Sequence, residues 1–138
     1  MIRNDVNAAP IFSQHLPMQV MERGPGRLVL AAAFDEIHLN AAGIVHGGLL
    51  SSLLDCCLAG AASAAVGDEL GEGGGYGITL SMTVNFVRAT GAGEVRCEAQ
   101  VQGGGNSTKF VEARVLDGGQ GPVATASGTV RVIPMPSA

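Results

Sequence analysis

Asp55 is the only charged residue between His46 and Val66, a stretch in which nearly every other residue is apolar or small. Aspartate is a poor residue for a helix interior, and burying its carboxylate ionised and unpaired costs several kcal/mol. No basic residue stands three or four positions away, where Ser51, Ser52, Leu58 and Ala59 are found. A solvated helix face is the plainer explanation, but such a face normally carries more than one charge. The other end of the stretch offers complementary chemistry. His46-Gly47-Gly48 opens the helix, where backbone N–H groups lack intrahelical partners and the helix dipole is positive. Without a Cβ at Gly47 and Gly48, a carbonyl oxygen can approach those donors closely. A candidate general base or nucleophile and a candidate oxyanion site thus lie within nine residues of each other, with His46 placed to order the turn or to hydrogen-bond near the reacting carbonyl rather than to act as a base.

These groups require a frame. From His46 to Val66 there is no proline and no β-branched residue before the last, and Leu50, Leu53, Leu54, Cys57, Leu58, Ala61, Ala62 and Ala65 recur at helical spacing. The predicted helix is roughly 30 Å long with a stripe broad enough to lie along a sheet. Nine residues of helix span about 13 Å, too far for Asp55 to reach a carbonyl held at Gly47 of the same helix. An antiparallel helix from a second copy, related by a twofold axis, closes that gap, so the spacing points to a dimer.

The remaining elements are strands. Met18 to Arg23 and Arg27 to Phe34 flank a Gly24-Pro25-Gly26 turn, after a short helix from Pro10 to Leu16. Residues 67–77, with Asp68, Glu69, Glu72 and several glycines, read as an acidic loop. The period then changes to two. Ile78, Leu80, Met82, Val84 and Phe86 alternate with Thr79, Ser81, Thr83 and Asn85, which predicts that the first set faces the helix and that Thr79 points away unless a bulge or the local twist at the strand's start intervenes. Strands over Glu94 to Gln102, Ser107 to Leu116 and Pro122 to Ile133 complete an α+β chain, an antiparallel sheet wrapped around one long central helix.

The 138 residues suit a single domain, 1–138, with a core over about 17–133 and a frayed segment at 1–9. A 46% hydrophobic and 14% charged composition belongs to globular chains. A net charge of −4 with a single lysine argues against nucleic acid or an anionic membrane as partner. Cys56, Cys57 and Cys97 are expected to be reduced core residues of a cytoplasmic protein, and no apolar leader or membrane span is expected. His15, His38 and His46 lack metal-ligand spacing, so no metal is expected. Gly103 to Lys109 lacks the order of a phosphate-binding P-loop and precedes a strand.

Asn40, Gly43, His46, Gly47, Gly48, Leu53 and Asp55 together resemble the signature of hotdog-fold acyl-CoA thioesterases of the PaaI-like, phenylacetate-degradation group, and the resemblance runs from about residue 28 to 133. It implies a hotdog fold and hydrolysis of an acyl-CoA thioester, with no cofactor beyond the coenzyme A of the substrate. It assigns the oxyanion donor to Gly47 and the general base or anhydride-forming nucleophile to Asp55 of a facing subunit. It has Asn40 position the thioester or the water, and Thr79 support the carboxylate. Gly48, Arg88, Asn106, Ser107, Thr108 and Lys109 become substrate or coenzyme A contacts, and the assembly becomes an obligate homodimer within a homotetramer. Family analogy suggests an aryl or medium-chain acyl group such as phenylacetyl, for which small residues at Ala59, Gly60 and Ala62 would leave room. The rivals are a non-catalytic acyl-CoA-binding hotdog protein and a hotdog dehydratase.

Overall fold

The computed structural model describes residues 10–70 and 75–134. Helix α1 (Pro10–His15) leads into strands β1 (Met18–Gly24) and β2 (Arg27–Phe34), then a single 3-10 turn at Glu36–His38 and the long helix α2 (Gly47–Leu70). Strands β3 (Gly75–Phe86), β4 (Gly93–Gly104), β5 (Thr108–Leu116) and β6 (Ala124–Pro134) follow. All pairings are antiparallel, in the order β1-β2-β4-β5-β6-β3, so β3 and β1 form the two edges. The sheet curls around α2, the architecture predicted from the sequence. The segment 1–9, expected to fray, lies outside the described residues.

The apolar stripe of α2 forms the core. Leu50, Leu53, Leu54, Cys57, Leu58, Ala61 and Ala62 are buried, and Ala65 is half-buried. They meet Leu28, Leu30, Val95, Cys97, Val111, Val115, Val130 and Val132 from the concave side of the sheet. Each fully buried leucine contributes about 2 kcal/mol by leaving water. The three cysteines are free thiols, and buried Cys57 donates to the carbonyls of Leu28 and Cys97.

Three expectations are corrected. Residues 67–77 are not all loop: α2 continues to Leu70 and β3 begins at Gly75. Gly75 and Gly77 serve close packing, since a Cβ on Gly77 would lie 2.6 Å from the Ala59 carbonyl oxygen and one on Gly75 would lie 2.7 Å from Val132. The same packing takes up the room expected around Ala59, Gly60 and Ala62. A Cβ on Gly60 would lie 2.3 Å from Leu28, and Ala62 is fully buried. At Gly60 and Ala62 the small residues therefore draw helix and sheet together instead of leaving space.

The third correction concerns β3. Its register against β6 shifts between Thr79 and Ser81, leaving Leu80 as the extra residue of a β-bulge. Gly75, Gly77 and Thr79 face the helix before the bulge, while Met82 and Val84 pack on the core after it. Ile78 (43% exposed) and Leu80 (59%) consequently lie outside the core that alternation assigned to them.

Gly77→Ala forces a methyl against helix backbone that cannot rotate away, so it should destabilise the fold by about 2 kcal/mol in urea unfolding, the scale of core overpacking. Gly105→Ala, where nothing lies within 4 Å, should change stability by less than about 0.5 kcal/mol.

Candidate active site

The chain reaches the start of α2 through a tightly tied loop. Asn40 Oδ1 accepts the Ala42 N–H at 2.9 Å and the Ile44 N–H at 3.3 Å, while the Asn40 N–H donates to the Ile44 carbonyl at 2.7 Å. Gly43 takes a φ of +79°, which favours glycine. Val45 is buried and its N–H donates to the Thr90 carbonyl at 2.9 Å, while the His46 N–H donates to the His38 carbonyl at the same distance. Asn40 is thus a turn-building residue in this chain, and it keeps its Nδ2 donors for other partners.

His38 supports the same junction from beneath. It is buried against Phe34, accepts the Asp35 N–H on Nδ1 at 2.8 Å and meets the His15 carbonyl through Nε2 at 2.5 Å. Both ring nitrogens are therefore engaged in fixing α1 and the 3-10 turn to the loop, a structural role.

At the helix start the donors divide unevenly. His46 Nδ1 accepts the Gly48 N–H at 2.9 Å, making His46 the side-chain cap of α2, and its carbonyl accepts the N–H groups of Leu49 and Leu50. The Gly47 N–H makes no hydrogen bond with any described residue. The tip of the Phe86 ring lies close enough to Gly47 that a Cβ there would come within 3.1 Å of Cζ and 3.2 Å of Cε1. A methyl at 47 would press on this exposed ring, which would have to give by a few tenths of an ångström. Among the described residues one first-turn backbone donor is thus left without a partner at the positive end of a 24-residue helix, beside the exposed ring of Phe86.

Asp55 is half-buried on α2, and Thr79 Oγ1 donates to its Oδ1 at 2.5 Å. The bulge at Leu80 makes this bond possible, because it lets Thr79 share the helix-facing side with its partner Val130 in β6. The second carboxylate oxygen has no partner among the described residues. Beside it, burial pushes the Cys56 thiol up to about 12, with the charge of Asp55 adding to the effect. Cys56 is therefore a protonated thiol near neutral pH and no competing nucleophile. Asp55 and Gly47 are eight residues apart on one straight helix, about 12 Å, so one chain does not bring them together.

The expected coenzyme A contacts are dispersed. Asn106 and Ser107 are exposed on the β4–β5 hairpin and Thr108 is half-buried at the start of β5, but Lys109 is only 7% exposed and alternates with exposed Phe110, which turns it toward the helix side. Lys109 is therefore no cation at an exposed tip. Arg88 is paired in two-point fashion with Asp117, through Nη1 at 3.0 Å and through Nη2. The hairpin lies beside Arg131 of β6 and Arg88 follows the β3 residue that pairs with Ala124, so about 23 Å of strand separates them in one chain. The sequence reading missed Asp117 altogether, since it lies 29 residues from Arg88 and nothing local marks the pair.

This fold and this site place the chain in a known class. A family model of the thioesterase superfamily matches residues 42–124, and the chain belongs to that superfamily, with the hotdog fold. Among solved structures, a conserved protein of Pseudomonas aeruginosa is 30% identical, with a TM-score of 0.78 over 88% of this chain and 93% of that one. The PaaI protein from the phenylacetic acid degradation operon of Escherichia coli is 25% identical, with a TM-score of 0.76 over 94% and 87% of the two chains. A hypothetical thioesterase of Streptococcus pneumoniae, solved with coenzyme A, is 21% identical with a TM-score of 0.74 over 87% and 88%, a likeness of fold. Curated proteins give no sequence match.

His46→Ala removes the acceptor for the Gly48 N–H and should cost about 1 kcal/mol of stability in urea unfolding. His46→Asn, which supplies another strong capping side chain, should recover most of that loss in the same measurement.

Proposed function

We propose that this protein hydrolyses acyl-CoA thioesters as a homodimer, with the carbonyl held at Gly47 of one subunit and the water held at Asp55 of the other. The observation that carries the reading is the unengaged Gly47 N–H, set at a helix start where every neighbouring donor is satisfied. In the reaction that N–H polarises the thioester carbonyl and stabilises the tetrahedral oxyanion, an interaction worth about 3 kcal/mol in comparable sites. Asp55, oriented through Oδ1 by Thr79, uses its free oxygen to take a proton from water. The hydroxide adds to the carbonyl carbon, the C–S bond breaks, and the proton held on Asp55 passes to the departing thiolate. Direct attack of Asp55 on the carbonyl through a mixed anhydride is the alternative route.

The edge position of β3 supports the dimer. Its outer edge pairs with no described strand, and Ile78 and Leu80 present apolar side chains beside it. An antiparallel copy along that edge would bring its own Asp55 and its Asn106 to Thr108 hairpin toward the Gly47 of this chain. Arg88 has no place in that contact set, since its charge is matched by Asp117. The exposed Phe86 ring next to Gly47 and the likeness to the phenylacetic acid operon protein favour an aryl or medium-chain acyl group. Three free thiols fit a reducing cytoplasm.

Purified protein incubated with a panel of acyl-CoAs and a thiol reagent should release thiol, fastest with arylacetyl or medium-chain substrates. Asp55→Asn should lower kcat at least about a hundredfold with KM changed little. Thiol release at the wild-type rate from this variant would remove Asp55 from the mechanism. Thr79→Val should lower kcat about tenfold by releasing the carboxylate from its orientation.

A further inference from the structure

The helix start is held from outside by a second carboxylate that the proposed reaction does not use. Asp117, in the β5–β6 loop, accepts hydrogen bonds from Arg88 Nη1 at 3.0 Å, from Arg88 Nη2, from Thr90 Oγ1 at 2.7 Å and from the Gly119 N–H at 2.9 Å. Arg88 Nη2 also donates to the Gly121 carbonyl at 3.1 Å, and the N–H groups of Val87 and Arg88 both donate to the Val123 carbonyl. A Cβ on Gly119 would lie 2.8 Å from Arg88 Nη2, so the loop is shaped around the guanidinium. An isolated surface ion pair contributes little. This carboxylate differs because it takes four donors from three residues and ties the β3–β4 loop, residues 87–92, to the β5–β6 loop.

The tied loop and the strand end that leads into it each touch the helix start once. The Thr90 carbonyl, on the residue whose hydroxyl Asp117 holds, accepts the N–H of buried Val45, two residues before Gly47. Phe86, two residues before Arg88, rests its ring on Gly47 itself. We infer that Arg88 and Asp117 are positioning residues for the oxyanion site: their pairing fixes the 86–90 segment, which in turn fixes the direction of the Gly47 N–H. This rests on the reading of Gly47 as the oxyanion donor. A donor displaced by a fraction of an ångström loses much of its effect on the transition state while leaving ground-state binding nearly intact. The Arg88 guanidinium, then Thr90 and Gly119, hold the Asp117 carboxyl well below the usual carboxylate range, so the tie persists across the pH range in which the reaction would be assayed.

The test uses the full chain, with Asp117→Asn as the principal variant and Arg88→Lys as the conservative one. Asp117→Asn should lower kcat about tenfold with KM changed less than about twofold. It should also accelerate amide exchange at Val45 by about tenfold while leaving exchange at Val111 and Val115 in β5 unchanged. Arg88→Lys, which keeps a charged donor, should retain more than half of the wild-type kcat. Unchanged kcat and unchanged Val45 exchange in Asp117→Asn overturn the inference, and so does equal acceleration at Val45, Val111 and Val115, the signature of a contact that only supports the fold. Should Asp117→Asn fail to fold, Arg88→Met is measured in its place against the same criteria. A wild-type protein without thioesterase activity would defeat the reading of function, whereas the exchange at Val45 would still decide whether the pair positions the helix start.

Discussion

A helix must dispose of the N–H groups of its first turn, and how this chain does so governs the rest of the site. The His46 side chain takes the Gly48 donor, its carbonyl takes those of Leu49 and Leu50, and the His38 carbonyl takes that of His46 itself. Among the described residues only the Gly47 N–H of this first turn is left without a partner. Asn40 and Gly43, which stand with His46 and Gly47 in the same run of sequence, serve the same end by closing the turn that delivers the chain to this point. On this account much of the signature builds the presentation of one backbone donor, and only Asp55 and Gly47 take part in the chemistry itself.

The carboxylate reaches its place by a different route. The helix lies against the sheet closely enough that Gly60 and Gly77 have no room for a side chain, which brings β3 within hydrogen-bonding distance of α2. One extra residue, Leu80, then turns Thr79 inward to meet Asp55 and leaves Ile78 and Leu80 along the free edge of the sheet. The same irregularity thus serves both the orientation of the proposed base and the apolar edge on which a second copy would dock. An exposed apolar edge strand is a liability for a single copy, which is a physical reason to expect it to be covered.

Much of this was legible in the sequence, and the reasons for success and failure differ by residue. The helix from His46 and the strands around it announce themselves through local periodicity, and Asp55 stands out because a lone charge in apolar surroundings needs an explanation. A bulge enters the sequence reading only as a condition for Thr79 to reach Asp55, because β3 alternates as strictly as a regular strand; pairing with β6 is what shows that Leu80 is supernumerary. The small residues of α2 were misread as space, since sequence alone does not say whether a missing side chain leaves a void or admits a neighbour such as Leu28. The expected coenzyme A contact at Arg88 overlooks its carboxylate partner because Asp117 is remote along the chain, and the one at Lys109 overlooks its burial because that depends on which face of β5 it occupies.

The most direct test of the central claim follows the Gly47 amide itself. A ketone analogue of the substrate, with the thioester sulfur replaced by a methylene, would be titrated into isotopically labelled protein. The account predicts that the Gly47 amide proton moves strongly downfield as the analogue carbonyl accepts its hydrogen bond, with the Gly48 amide, already bound to His46, moving far less. Saturable binding with the Gly47 resonance unmoved would contradict it.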